Sequence, residues 1–416
     1  MTEAVLYLRE NGTIVTHGSY SARRIFRYCP RQFKLERIDG WKQIEERASG
    51  LFGKCVESAT QWHEECSRAQ GAGAEKFVEL WQRVGESPNA KNLTYTDCEN
   101  DWAGLLRAGR EMQQLYEIAA PSLPISTMPR ARWQVKRVKK IFPGTELDVL
   151  DNVAYLDILS FPPWDHPMLV SLPNPTGADF RPLIIDCKTA GVDLNPKLVP
   201  LDPQLAEYAW QDRIFDVAFL WFTKHSHKLE RKNRVTLLED VGGLRAGTEL
   251  FVVGVQKPEK PRRKKGDPEP TEPVSNEIER VFLGDSAALE AFKTATRGLH
   301  PSSNAYDMAC FSFYQARFVV SCLPSQVTKQ RLQFVAVRLD EEFVNEVGEG
   351  VGQDTVDMIQ AHKTGKYRRT GGIRFPDAKC SVCAMRGICA NDPEMRDSML
   401  TRAGEEWFSG IDREGD

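Results

Sequence analysis

Two short apolar runs that end in carboxylates constrain this chain more than any other feature. Val153-Ala154-Tyr155-Leu156 leads into Asp157, and Pro182-Leu183-Ile184-Ile185 leads into Asp186-Cys187-Lys188. Short apolar runs bounded by turn residues read as buried strands. A carboxylate at the end of such a strand is costly to bury. A divalent cation removes that cost, because Mg²⁺ and Mn²⁺ take hard oxygen ligands. Residues i and i+2 of a strand face the same side. Asp186 and Lys188 therefore point at one site, and Cys187 faces away, offering only its backbone carbonyl. Phosphodiester hydrolysis calls for such parts: a metal to activate water and a cation to balance transition-state charge. Asp-x-Lys alone is very common and reads first as a strand-end ion pair, so the neighbouring segments decide its meaning.

Those segments order themselves as helix, strand, strand, strand, helix, strand, the pattern of an α/β core. Ser19 precedes an amphipathic run over 22–35, and serine before an apolar helical pattern starts a helix. Pro30 divides that run. Leu51, Phe52, Cys55, Val56 and Ala59 recur at helical spacing, predicting a helix over 49–68 that carries Gly53 and Glu57. Further helical patterning covers 75–119, with a polar loop near 85–92. Strands are expected at 133–138, 152–161 and 183–188, with a Pro-rich connection over 162–182. A helix over 202–216 sets Gln204 and Tyr208 four residues apart on one face, and a strand over 217–223 follows. Beyond it, strands are expected at 249–254, 280–283 and 331–339, and helices at 286–298, 304–320 and 340–363.

The chain has 416 residues, 41% hydrophobic and 27% charged, enough for one large domain or two smaller ones. A net charge of −3 rules out wholesale coating of nucleic acid, so any such surface is local. Three basic stretches are candidates. Lys257–Lys265 has six basic residues in nine, within a charged, Pro-rich linker over 256–275. Lys136, Arg137, Lys139 and Lys140 lie on the strand at 133–138 or just beyond it, and Lys363–Arg369 combines basic residues with Tyr367. Each reads equally as a solvated surface. No apolar stretch approaches the ~20 residues of a membrane span. Met1–Leu6 lacks the basic and apolar regions of a secretion signal, so a cytoplasmic protein is the expectation.

Glycine plus an acidic residue on an early helix, a lone aspartate, Asp-x-Lys, then Gln-x-x-x-Tyr, in this order, resembles the PD-(D/E)xK superfamily and, more narrowly, its RecB-like nuclease branch. Ser19-Tyr20-Ser21 through Cys29-Pro30-Arg31-Gln32-Phe33 is similar to that branch's entry segment. The resemblance covers about 19–225 and 375–392. It implies an α/β, restriction-endonuclease-like core: a mixed central sheet flanked by helices, with a helical N-terminal part, a large α+β insert and a cysteine cluster joining the two chain ends. It further implies that Glu57, Asp157, Asp186 and the Cys187 carbonyl hold Mg²⁺ or Mn²⁺, that Lys188 assists catalysis, and that Gln204 and Tyr208 organise the site or contact DNA. Many members of the branch carry histidine where this chain has Glu57. His63 lies about 600° further around the helix and reads as a solvated or packed residue.

Ten cysteines in a chain without a secretion signal do not suggest disulfides. Six are scattered. Cys380-Ser381-Val382-Cys383 and Cys389 form a tight trio whose thiolates need a metal or cluster and a fourth, distant ligand. In the RecB-like resemblance that ligand is Cys29. One N-terminal cysteine plus a C-terminal trio is similar to the subgroup of AddB-type and CRISPR-associated nucleases, which implies a 4Fe-4S cluster. Zinc takes the same ligands and stays open.

Four regions follow: 1–128, helical with the first active-site helix; 129–225, the nuclease core; 226–374, an insert matching nothing familiar; and 375–416, the cysteine cluster and an acidic tail. The leading expectation is a metal-dependent DNA nuclease that hydrolyses phosphodiester bonds as an exonuclease acting on single-stranded DNA or DNA ends. The competing one is a subunit that binds DNA, or a protein partner through 226–374, with the cluster as scaffold. No membrane partner is expected.

Overall fold

The computed structural model of the protein describes residues 6–8, 14–87, 90–95, 101–143, 151–173, 178–224, 234–241, 243–252, 281–283, 291, 293–299, 305, 309, 319–320, 326–328, 331–370, 380 and 383–402. An α/β body is built on a mixed central sheet. Its strands are β1 (Leu6–Leu8), β2 (Ile14–Gly18), β3 (Arg132–Lys140), β4 (Asp151–Ser160), β5 (Leu183–Ala190), β6 (Asp216–Thr223) and β7 (Leu332–Arg338). They lie in the order β1-β2-β4-β5-β6-β7, with β3 also on β4. The pair β5–β6 is parallel, and β6–β7, β4–β5 and β3–β4 are antiparallel.

Helices α1 (Tyr20–Tyr28), α2 (Ala48–Glu65), α3 (Ala72–Glu86), α4 (Trp102–Ala119), α5 (Pro203–Asp212) and α6 (Glu341–Thr364) flank it. The alternation of strand residues divides the core. Leu183 and Ile185 pack with Phe52, Phe77, Trp81 and Met112 of α2–α4. Ile184, Val217 and Phe219 pack with Leu205 and Ala209 of α5 and Val344 of α6 on the opposite face. Period two in the strands and period 3.6 in the helices make both layers possible. Phe52 and Phe77 meet edge to face at 5.5 Å, a contact adding about 1 kcal/mol beyond area burial.

One edge feature of the sheet positions everything that follows. β3 covers one edge of β4 from Lys140–Asp151 to Arg132–Leu159. The other edge is shared: β2 pairs only at Asp151 and Asn152, and β5 only at Ile158–Ser160. Residues 153–157 thus have no strand on that side among the described residues. Asp157 sits at the lip of this gap, where β4 and β5 separate.

Several expectations need correction. The helix expected over 202–216 stops at Asp212, because Arg213 takes a left-handed cap (φ 57°) and Asp216 already begins β6. Residues 331–364, assigned from sequence to the 226–374 insert, return to the core: β7 pairs with β6 along its length, and α6 packs on α1 and α5. Within the remaining insert, the described residues form an antiparallel sheet of Val319–Val320, Val281–Leu283, Glu249–Phe251, Arg234–Leu237 and Val327–Thr328. Within the helix expected at 286–298, residues 291 and 293–295 are helical; the helix expected at 304–320 lies largely outside the described residues, and Val319–Val320 is strand. The linker 256–275 and the tail beyond 402 lie outside them entirely. Among the described residues no helix is long and apolar enough to cross a membrane.

Residues 370 and 400–402 return to the N-terminal part of the chain. Leu400–Arg402 pairs antiparallel with Trp41–Gln43, and the Thr370 hydroxyl donates to the Tyr28 carbonyl at 2.6 Å. Leu35, Ala384, Met385 and Leu400 bury one another at this junction.

Candidate active site

The gap beside β4 frees backbone groups that must find other partners. The Cys187 N–H donates to Asp157 Oδ2 at 2.9 Å, so the aspartate side chain bridges β4 to β5 where ladder bonds have ended. Asp186 comes next to it, fully buried. The Lys188 ammonium lies 2.6 Å from Asp186 Oδ2, consistent with i and i+2 sharing a face. α5 starts with Pro203, and Asp202 caps it by accepting from the Gln204 and Leu205 N–H groups, both at 2.9 Å. That start sets the Gln204 amide 3.3 Å from Asp186 Oδ1 and 2.6 Å from the Tyr208 hydroxyl, to which it donates.

α2 approaches from the other face of the sheet. A Cβ on Gly53 would lie 2.9 Å from Thr189 Oγ1, so the helix meets β5 closely only because position 53 lacks a side chain. Glu57, one turn further, borders a cavity of about 280 Å³ together with Lys54, Val56, Cys187 and Lys188. The Gln134 amide of β3 donates to Glu57 Oε1.

The electrostatics follow from this crowding. Burial pushes the Asp186 carboxyl up to about 8; Lys188 pulls it down and Asp157 pushes it further up. Burial alone would lower the Lys188 ammonium, but Asp186, Asp157 and Glu57 outweigh it and hold the ammonium above its ordinary value. Burial, then Asp186 and Asp157, push the Tyr208 hydroxyl far up, so it stays protonated. Burial and the surrounding carboxylates likewise keep the Cys187 thiol protonated.

Glu57, Asp157, Asp186, Lys188, Gln204 and Tyr208 are thus brought within electrostatic or hydrogen-bonding reach of one another. Among the described residues, however, no group of three or more His, Cys, Asp or Glu side chains is drawn together as a ready-made metal cage. The carboxylates of Glu57, Asp157 and Asp186 are hard oxygen donors of the kind a divalent cation takes, and Lys54 and Lys188 are the cations beside them.

The four expected cluster cysteines are all free thiols. Burial raises the Cys383 thiol, and Cys389 and Cys29 add to the effect, so these sulfurs sense one another. Burial opposes ionisation of Cys29, but hydrogen bonds from Thr370, Gln32 and Arg31 hold its thiol below the ordinary value. The Cys383 N–H donates to the Cys380 carbonyl at 3.4 Å. A lowered thiol, as at Cys29, favours the thiolate form in which cysteine binds a metal, whereas the Cys383 thiol is shifted the other way.

His63 is buried and packs edge-on to Tyr116 at 5.7 Å, so it is the packed residue of the two readings. Of the basic stretch on β3, Lys139 sits 4.0 Å over the Trp210 ring, Arg137 pairs with Asp212 at 2.6 Å, and Lys136 lies 5.8 Å over Tyr155. Arg137 and Lys139 thus brace α5, while Lys136 and Lys140 are exposed. Lys363, Lys366, Arg368 and Arg369 are exposed, and Lys257–Lys265 lies outside the described residues.

Sequence reasoning missed two features. Arg23 of α1 and Glu207 of α5 form a buried ion pair, with Arg23 also donating to Asn152 Oδ1 at 2.8 Å and Asn152 donating to Gln211 at 2.7 Å. Gln134 was read only as a strand residue. The signal for the first was an arginine at an inward position of an amphipathic helix. For Gln134 there was none.

No protein-family model matches the chain, and no curated protein or solved structure compared with it does either.

Proposed function

We propose that this chain is a metal-dependent DNA nuclease with a restriction-endonuclease-like core, of the PD-(D/E)xK superfamily and its RecB-like branch. One observation carries the reading. Where β4 and β5 part, Glu57, Asp157 and the Asp186–Lys188 pair converge from separate elements, with Gln204 and Tyr208 braced behind Asp186.

In this reading Glu57, Asp157, Asp186 and the Cys187 carbonyl hold Mg²⁺ or Mn²⁺. Such an ion, when bound, supplies Lewis acidity and acidifies its water. Lys188 stays charged through neutral pH and offers its positive charge to the phosphate at the cavity wall. Gln204 orients the Asp186 carboxylate and is itself held by the Tyr208 hydroxyl. Cys187 stays protonated and takes no nucleophilic part. Single-stranded DNA or DNA ends in the cytoplasm are the proposed substrate, with exonucleolytic cutting. Cys29, Cys380, Cys383 and Cys389 are proposed to hold a 4Fe-4S cluster at the junction of the chain ends. That junction also closes through backbone, which gives the cluster a stapling role.

The test is cleavage of end-labelled single- and double-stranded DNA with Mg²⁺ and Mn²⁺. Asp186→Ala and Lys188→Ala should each abolish cutting while leaving the fold intact by circular dichroism. Full activity in either variant defeats the reading. A second reading, a DNA- or protein-binding subunit with the cluster as scaffold, is favoured by the lack of a ready-made metal cage among the described residues. It would be chosen if the purified chain binds DNA and cuts none with either ion.

A further inference from the structure

Gln134 departs from ordinary strand geometry at an informative place. The β3–β4 register pairs Trp133 with Ile158 and Val135 with Leu156, which sets Gln134 opposite Asp157. Its φ is +52°, the left-handed region that non-glycine residues seldom adopt. Core packing shows what this turn of the backbone does. Trp133 packs on the α2–α4 side, whereas Val135, two residues on, packs on the α5 side. Across the ladder, Ile158 and Leu156 divide in the same way. Residues two apart on a regular strand share a face. Both strands therefore swap faces together at Gln134 and Asp157. The swap falls at the lip of the sheet gap, and the Gln134 amide donates to Glu57 of α2.

We infer that Gln134 is a positioning residue for the metal site, holding the Glu57 carboxylate in place beside Asp157 and Lys188. The inference rests on the reading of Glu57 as a metal ligand. Three properties of the residue suit the role. An amide donates to a carboxylate without adding charge to a site already rich in it. Glutamine is long enough to reach from β3 to α2. Its backbone is kept in an unfavourable conformation, which persists where the surroundings over-determine it and which clusters at functional sites. Partners that orient a metal-ligating side chain typically change metal affinity about 10–100-fold when removed.

The experiment uses the full-length chain and Mn²⁺ itself, with free Mn²⁺ followed by electron paramagnetic resonance and thermal stability recorded in parallel. Gln134→Gly removes the amide but welcomes the positive φ, so its metal-free melting temperature should equal or exceed that of the wild type. Its Mn²⁺ affinity should nonetheless fall about tenfold. Gln134→Leu, which keeps the bulk and the strain, should lose as much affinity. In a Glu57→Gln background, Gln134→Gly should cost less than about twofold, because the partner through which it acts is gone. Unchanged Mn²⁺ affinity in Gln134→Gly, or equal losses with and without Glu57, would overturn the inference while leaving the nuclease reading standing. Wild-type Mn²⁺ binding that is indifferent to Asp186→Ala would remove both.

Discussion

Replacing Arg23 with methionine keeps the stem of the side chain and deletes its guanidinium, and the structure sets the size of the consequence. Arg23 and Glu207 are 1% and 2% exposed, so neither charge has water to fall back on. The guanidinium also supplies Asn152 Oδ1 at 2.8 Å, and Asn152 in turn donates to Glu207 and Gln211. Removing one partner of such a pair leaves a buried, uncompensated charge, which costs about 3–5 kcal/mol. Removing both with apolar residues of similar volume is near neutral, because the desolvation cost of the second charge also disappears. Arg23→Met should therefore destabilise the chain by about 3–5 kcal/mol in urea, read as a lower midpoint at constant slope. Arg23→Met with Glu207→Met should recover most of it. The network joins α1, which Cys29 caps, to α5, which carries Gln204 and Tyr208, so single variants should also lose nuclease activity. A loss under about 1 kcal/mol for Arg23→Met, or a double variant as unstable as the sum of the singles, would refute the argument.

Three further outcomes are expected. Asp186 has a folded pKa raised to about 8 against about 3.9 in an unfolded chain, so the folded state holds the extra proton between those values. The metal-free chain should accordingly lose stability as pH rises from about 4 to about 8, and Mn²⁺ should raise the melting temperature more at pH 8.5 than at pH 6; equal increments would contradict this. Gly53→Ala places a methyl 2.9 Å from Thr189 Oγ1 and should cost about 1–3 kcal/mol, whereas Gly50→Ala, with open space around it, should gain up to about 1 kcal/mol from helix propensity; similar urea midpoints for the two would count against the close approach. Anaerobically purified protein should carry iron and acid-labile sulfide in equal amounts, and Cys383→Ser should lower both. Zinc in place of iron would select the other metal left open by the cysteine spacing.

How much of this was legible depends on the distance over which each feature is decided. The strands over Asp151–Ser160 and Leu183–Ala190 and the helix Ala48–Glu65 could be read because apolar periodicity is local. The shared side of Asp186 and Lys188 and the pairing of Gln204 with Tyr208 follow from strand and helix periods alone. The end of α5 at Asp212 was misread because a left-handed Arg213 leaves no compositional trace. The return of β7 and α6 to the core was misread because their pattern says only that they are buried, never against what.

The pair that opened the argument shows the same division. Sequence by itself determined that Asp157 and Asp186 follow apolar strand residues and that Lys188 accompanies Asp186 on one face; both aspartates lie inside their strands, Asp151–Ser160 and Leu183–Ala190, and not at the strand ends that the apolar runs suggested. Only tertiary structure decided that they meet. β2 takes the start of one edge of β4 and β5 takes its end, the gap between them frees the Cys187 N–H, and Asp157, thirty residues away, accepts it at 2.9 Å. Glu57 and Gln134 arrive from a helix and a strand that share no local signal with that pair. Periodicity encodes which face a residue takes; which strand lies beside it is set by the packing of the whole chain, where a buried backbone donor must find an acceptor wherever the fold supplies one.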